Sequence, residues 1–182
     1  MQREEAIKHM TDVMAKFVAF TGKRLPDDVR AKIEELAEQE EEPLAKAIYK
    51  TMERNQELAV KLNRPSCQDT GALQFFIKCG TEFPYMAELP ELLRQAVVQA
   101  TKDAPLRHNA VETFDEYNTG KNVAKNIPSL FWDIAPGRDD CEIYTYMAGG
   151  GCSLPGHAKV LMPGEGYEGV TKFVVRNYRL CL

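Results

Sequence analysis

Three short runs hold the residues able to do chemistry. Cys67-Gln68-Asp69-Thr70-Gly71 places a thiol, an amide and a carboxylate side by side. A thiolate is a soft ligand for zinc or an iron–sulfur cluster, and a nucleophile when its pKa is lowered. Gln68 and Asp69 can hydrogen-bond a substrate, and Asp69 can move a proton. A turn around a half-buried structural thiol is the plainer reading of the same five residues. In Pro105-Leu106-Arg107-His108-Asn109, Arg107 offers a planar fork that grips a carboxylate with two hydrogen bonds, and His108 can act as acid, base or polar contact. A solvated loop arginine is the alternative. The third run is Ala148-Gly149-Gly150-Gly151-Cys152-Ser153. Consecutive glycines cost backbone entropy, which makes sense where a ligand approaches the main chain or where N–H groups form an anion nest. A flexible turn is the competing account. His157 and Lys159 are weaker candidates nearby. Lys121, in Asn118-Thr119-Gly120-Lys121-Asn122, lacks the upstream glycine of a phosphate-binding loop.

The elements that must position these runs can be read from apolar spacing. Ala6, Met10, Val13, Met14, Phe17 and Val18 recur at helical steps that stop at Thr21-Gly22. Leu25-Pro26-Asp27-Asp28 reads as a second helix start, and Pro43 opens a third helix carrying Leu44, Ile48, Met52, Leu58 and Leu62. The acidic run 38–42 reads as a solvated helix end. Leu73 to Lys78 predicts a strand, and Glu88 to Ala104 a helix closed by Pro105. Residues 103–126 are polar and rich in turn formers, the texture of a functional loop. Leu130 to Ile134 and Glu142 to Met147 predict two strands joined by the turn 136–140, and Val170, Phe173 and Val174 start a final helix. The expected fold class is α+β (mixed α/β): a single domain over 1–182, helical over 1–62, with mixed strands and helices carrying the site over 63–182.

Composition narrows the partners. Twenty-seven acidic against 23 basic residues give a formal charge of −4, which argues against nucleic acid. Charged residues recur too often for a membrane span, and no secretory signal is expected, so a cytoplasmic setting with reduced thiols follows. The five cysteines contain no Cys-x-x-Cys pair, so zinc-finger and ferredoxin patterns are excluded. A hydrolase pairing Cys67 with His108 and an aspartate stays open on residue types alone.

Taken jointly, 63–71 (Asn-Arg-Pro-Ser-Cys-Gln-Asp-Thr-Gly), 104–111 (Ala-Pro-Leu-Arg-His-Asn-Ala-Val) and 148–152 (Ala-Gly-Gly-Gly-Cys) resemble the class I iron–sulfur hydro-lyases, the family of L(+)-tartrate dehydratase alpha subunits and class I fumarate hydratases. Lys159-Val160-Leu161-Met162-Pro163 and Glu165-Gly166-Tyr167-Glu168-Gly169-Val170 favour the tartrate branch. The resemblance implies loss of water from a 2-hydroxy dicarboxylic acid at a 4Fe–4S cluster whose open iron acts as a Lewis acid. It also implies a beta subunit and a homo- or hetero-oligomer. By that resemblance Cys67 is one of three cluster ligands, Gln68 and Asp69 contact substrate with Asp69 near the departing hydroxyl, Arg107 clamps a carboxylate, and Gly149-Gly150 receive the substrate closely. Cys152 and Ser153 are softer assignments. The family continues into two further cysteines in contexts that the tail around Cys181 does not match. The expectation is therefore a truncated, catalytically incomplete N-terminal portion, or a non-catalytic remnant that keeps the fold.

Overall fold

Leu73, Phe75, Ile77 and Cys79 alternate along strand β1 (Ala72–Gly80), and all four are sealed from solvent. The computed structural model describes residues 2–67, 69–153 and 156–180. Three helices precede β1: α1 (Arg3–Thr21), α2 (Asp27–Gln39) and α3 (Pro43–Lys61). After it come α4 (Leu89–Asp103), a two-stranded ribbon of β2 (Val111–Glu112) and β3 (Tyr117–Asn118), then β4 (Ser129–Ala135) and β5 (Cys141–Ala148). The chain divides into two units, 1–148 and 149–182. The α+β class expected from the sequence holds.

In the first unit the sheet order is β4-β1-β5, with β4 parallel and β5 antiparallel to β1. The turn 136–140 therefore joins two strands that flank β1 rather than pairing with each other. One face of β1 packs on α4 through Leu89, Leu92, Leu93, Val97 and Ala100, and on α1 through Val18 and Ala19. Burying each leucine or valine in this set stabilises by roughly 1.5–3 kcal/mol before entropy is counted. The buried stripe of α1 is Ala6, Thr11, Ala15, Val18 and Ala19. It is rotated from the expected one, since Val13 and Phe17 are exposed while small residues face inward. Arg3 fixes the start of α1 through its guanidinium, which donates to Glu88 Oε1 at 2.6 Å and to Pro84 O at 2.7 Å.

Helices α2 and α3 pack on each other and bury little; α2 has no buried residue and α3 only Ala59. The opposite face of the sheet is open, with Phe76 and Phe131 stacked at 4.9 Å between ring centres. Turn 136–140 is braced by Arg138, whose guanidinium donates to Asp140 and Glu142 and holds both carboxyls below the usual range.

The second unit holds a four-residue helical turn α5 (Gly150–Ser153), a 3-10 turn at Pro163–Glu165 and helix α6 (Gly166–Leu180), which starts earlier than the sequence suggested. Met162 N–H donates to Glu165 Oε2 at 2.8 Å and Lys159 Nζ reaches Glu165 Oε1 at 3.3 Å, so the Glu165 carboxyl sits below its ordinary range.

Gly80 ends β1 where a Cβ would lie 2.0 Å from the Arg138 carbonyl oxygen, a backbone atom that cannot step aside cheaply. Gly80→Ala is expected to lower unfolding free energy by about 1–3 kcal/mol. A urea titration with an unchanged midpoint would mean that the 136–140 turn relaxes freely.

Candidate active site

The Cys67 loop is held by the helices before it. Ser66 N–H donates to Gly22 O at 2.9 Å, and Asn55 Nδ2 donates to Ser66 O at 2.6 Å. Asn63, with φ of 51°, takes the left-handed conformation that asparagine tolerates, and its amide donates to Asp103 O at 2.8 Å. The exit of α3 is thereby tied to the exit of α4. Cys67 follows with an exposed thiol, beside a cleft of about 230 Å³ lined by Leu25, Ile33, Met52, Gln56 and Ser66.

Two hydrogen bonds bring the first two sequence motifs together. Asn109 Nδ2 donates to Asp69 Oδ1 at 2.5 Å, and Arg107 N–H donates to Thr70 Oγ1 at 3.1 Å. Residues some forty positions apart in sequence thus share one edge of the fold. Leu106, buried between them in sequence, anchors the second loop in the core and leaves Arg107 and His108 exposed.

A further layer supports this loop. The buried Asn122 accepts from Asn109 N–H at 2.8 Å and donates through Nδ2 to Thr101 Oγ1 at 3.2 Å. Thr101 in turn donates to Val97 O, within α4, at 2.7 Å. Asn118 Nδ2 donates to His108 O at 2.8 Å. Asn122, with φ of 55°, again uses the left-handed tolerance of asparagine. The polar segment 103–126 is thereby ordered by its own asparagines together with Thr101, and its short β2–β3 ribbon was too brief to leave an alternation in the sequence.

Asp69 and Arg107 come together in this arrangement, and Cys67 lies two residues before Asp69. Gln68 lies outside the described residues. Gly149 and Gly150 open the second unit; Ala148, just before them, is paired with Ala72 at the start of β1. Thr70, Asn109, Asn122 and Thr101 are the contributors that sequence reasoning gave no role. Their signal was faint: neutral polar residues inside or next to the motifs, acting through backbone groups.

A soft exposed thiol at Cys67 suits a single cluster ligand. Among the described residues no three His, Cys, Asp or Glu side chains converge to hold a metal, so these residues do not by themselves form the three-thiolate site of a 4Fe–4S cluster. No described helix is long and apolar enough to cross a membrane.

Residues 11–180 match the fumarate hydratase (Fumerase) family, a class of lyases, and the chain belongs to that family. Within the family it is similar to L(+)-tartrate dehydratase subunit alpha of Escherichia coli (strain K12), with 54% identity over 175 residues, 96% of this chain and 58% of that protein. The Shigella sonnei (strain Ss046) protein of the same name matches to the same extent. The chain thus spans under two thirds of the length of these relatives.

Asn122→Ala removes a buried amide that serves two partners and is expected to cost about 1–3 kcal/mol. Hydrogen exchange should speed at least tenfold at the Asn109 and Arg107 amides while the β1 amides stay protected. Equal protection at Asn109 in both proteins would contradict the ordering role of Asn122.

Proposed function

We propose that this chain provides the acid/base and carboxylate-recognition portion of a hydro-lyase that removes water from a 2-hydroxy dicarboxylic acid, L(+)-tartrate giving oxaloacetate. The observation that carries the reading is the pairing of the Asp69 and Arg107 loops by Asn109 and Thr70. A carboxylate that can move a proton and a cation that can grip a carboxylate are what such an elimination needs side by side. The names of the relatives favour tartrate, and the family description keeps malate and fumarate as the alternative pair.

In this reading Arg107 clamps one substrate carboxylate, Gln68 and Asp69 contact the substrate, Asp69 serves the departing hydroxyl, and the Gly149-Gly150 backbone receives the substrate closely. Asn109 orients Asp69 through a neutral donor. Cys67 is one thiolate ligand of a 4Fe–4S cluster whose remaining ligands lie outside the described residues. When bound, such a cluster supplies Lewis acidity toward the leaving hydroxyl. The chain works together with a beta subunit, in keeping with the subunit names of its relatives, and in the cytoplasm, where an exposed ligand thiol stays reduced.

The test is a steady-state assay of the natural assembly that contains this chain, prepared anaerobically with iron and sulfide, for dehydration of L(+)-tartrate and of malate and for hydration of fumarate. Asp69→Asn should reduce kcat by about 10²–10⁴-fold with KM changed little. Arg107→Lys should raise KM by about 10–100-fold, the worth of a bidentate charged contact. Turnover of none of the three acids, or full kcat in Asp69→Asn, would overturn the reading.

A further inference from the structure

Cys79 and Cys141 take no part in the site above, yet they stand directly opposite each other on β1 and β5. Gly80 N–H donates to Asp140 O at 2.9 Å, so that opposite pair is a hydrogen-bonded one. Pairs alternate along an antiparallel ladder, which makes Cys79–Cys141 a non-hydrogen-bonded pair, with Cα atoms about 4.5 Å apart and side chains at their closest. That spacing falls inside the roughly 4.4–6.8 Å that a disulfide spans. The Cys79 thiol donates to its neighbour's carbonyl, Gly80 O, at 3.7 Å. Cys79 is fully buried, whereas Cys141 is only half-buried on an edge strand.

We propose that Cys79 and Cys141 are an oxidative modification site, a dithiol that a small peroxide closes into a cross-strand disulfide. Cys141 is the sulfur an oxidant can reach. Its thiolate attacks one peroxide oxygen, the O–O bond breaks, and hydroxide leaves and takes up the thiol's proton as water, giving a sulfenic acid. Cys79 Sγ then attacks that sulfur, the S–O bond breaks, and a second water leaves with the Cys79 proton. Two thiols and one hydrogen peroxide yield one disulfide and two waters.

The surroundings set the pace. Burial, the Cys79 thiol and the Asp140 and Glu142 carboxylates push the Cys141 thiol up to about 12, while Lys78 across the ladder and Arg138 in the turn offset those carboxylates. Only the thiolate reacts, so closure is slow at neutral pH and belongs to sustained oxidation rather than to rapid sensing. Once closed, the buried sulfur of Cys79 is shielded from attack by thiols in solution.

The experiment treats the purified chain with hydrogen peroxide, alkylates it under denaturing conditions and maps the peptides by mass spectrometry. The expected product is a linked pair of peptides bearing Cys79 and Cys141, two hydrogens lighter than the dithiol and restored by dithiothreitol. Its melting temperature should rise by about 5–10 °C, since the bridge closes a long loop. Cys141→Ala should leave Cys79 fully alkylatable after the same treatment. The mapping on the unsubstituted chain needs no variant, so a folding defect in Cys141→Ala cannot mask the answer. Linkage of Cys67 to another cysteine with both strand thiols still alkylatable, or sulfinic acid at Cys141 beside an alkylatable Cys79, would overturn the proposal.

Discussion

Burial of the Leu73, Phe75, Ile77 and Cys79 face of β1 beneath α4 is the constraint on which the rest of this structure depends. Nine residues of strand extend about 30 Å, and fifteen residues of helix return about 22 Å along the same face. The chain leaves α4 close to where it entered β1, and the few residues after Asp103 make up the difference. The loop before β1 and the loop after α4 are therefore neighbours because of packing, long before any hydrogen bond forms between them. Because β4 is parallel to β1 and β5 antiparallel, the segment 104–128 and the last residue of β5 are brought to that same end.

This geometry has an electrostatic consequence. It is the C-terminal end of α4 that faces the site, and that end carries the negative pole of the helix dipole. Many anion sites in layered folds draw on a helix N-terminus; this one has the opposite pole. In the proposed function the positive charge for a dicarboxylate comes from a side chain, the role proposed for Arg107, which is exposed just beyond α4. The hydrogen bond from Asn109 to Asp69 comes from a neutral donor, so it fixes the carboxylate proposed as acid/base without adding charge.

The longer elements of the first unit, α1 to α4 and β1, β4 and β5, were legible from their apolar pattern, unlike the two-residue strands β2 and β3. β1 read as a strand from Phe75, Phe76 and Ile77, and α4 from Leu89, Leu92, Leu93, Ala96 and Val97. The face that α1 buries was misread because burial there follows close backbone approach at Ala15 and Ala19, and hydropathy ranks Val13 and Phe17 above such small residues. In the site, Asp69 and Arg107 stood out by charge and by motif. Thr70, Asn122 and Thr101 did not, because a neutral side chain that satisfies a distant backbone N–H or a second hydroxyl has no signature until the fold brings the two together. The polar stretch 103–126 looked like a working loop, and its order comes from three asparagines, Asn109, Asn118 and Asn122, that bond across it.

The two chemistries assigned to this sheet occupy opposite ends of one strand pair. From Ala72, beside the Asp69 loop, to Cys79 is seven residues, about 23 Å of strand. A bond between Cys79 and Cys141 would not touch the site, but it acts on the same register that pairs Ala72 with Ala148. A slip of one residue would turn Phe75 and Ile77 outward and bring Phe76 and Lys78 into the core, so the native register is already strongly favoured. A disulfide therefore reinforces the alignment on which the Asp69 loop depends instead of switching it. Oxidation is expected to tighten the scaffold and leave the arrangement of Asp69, Asn109 and Arg107 unchanged.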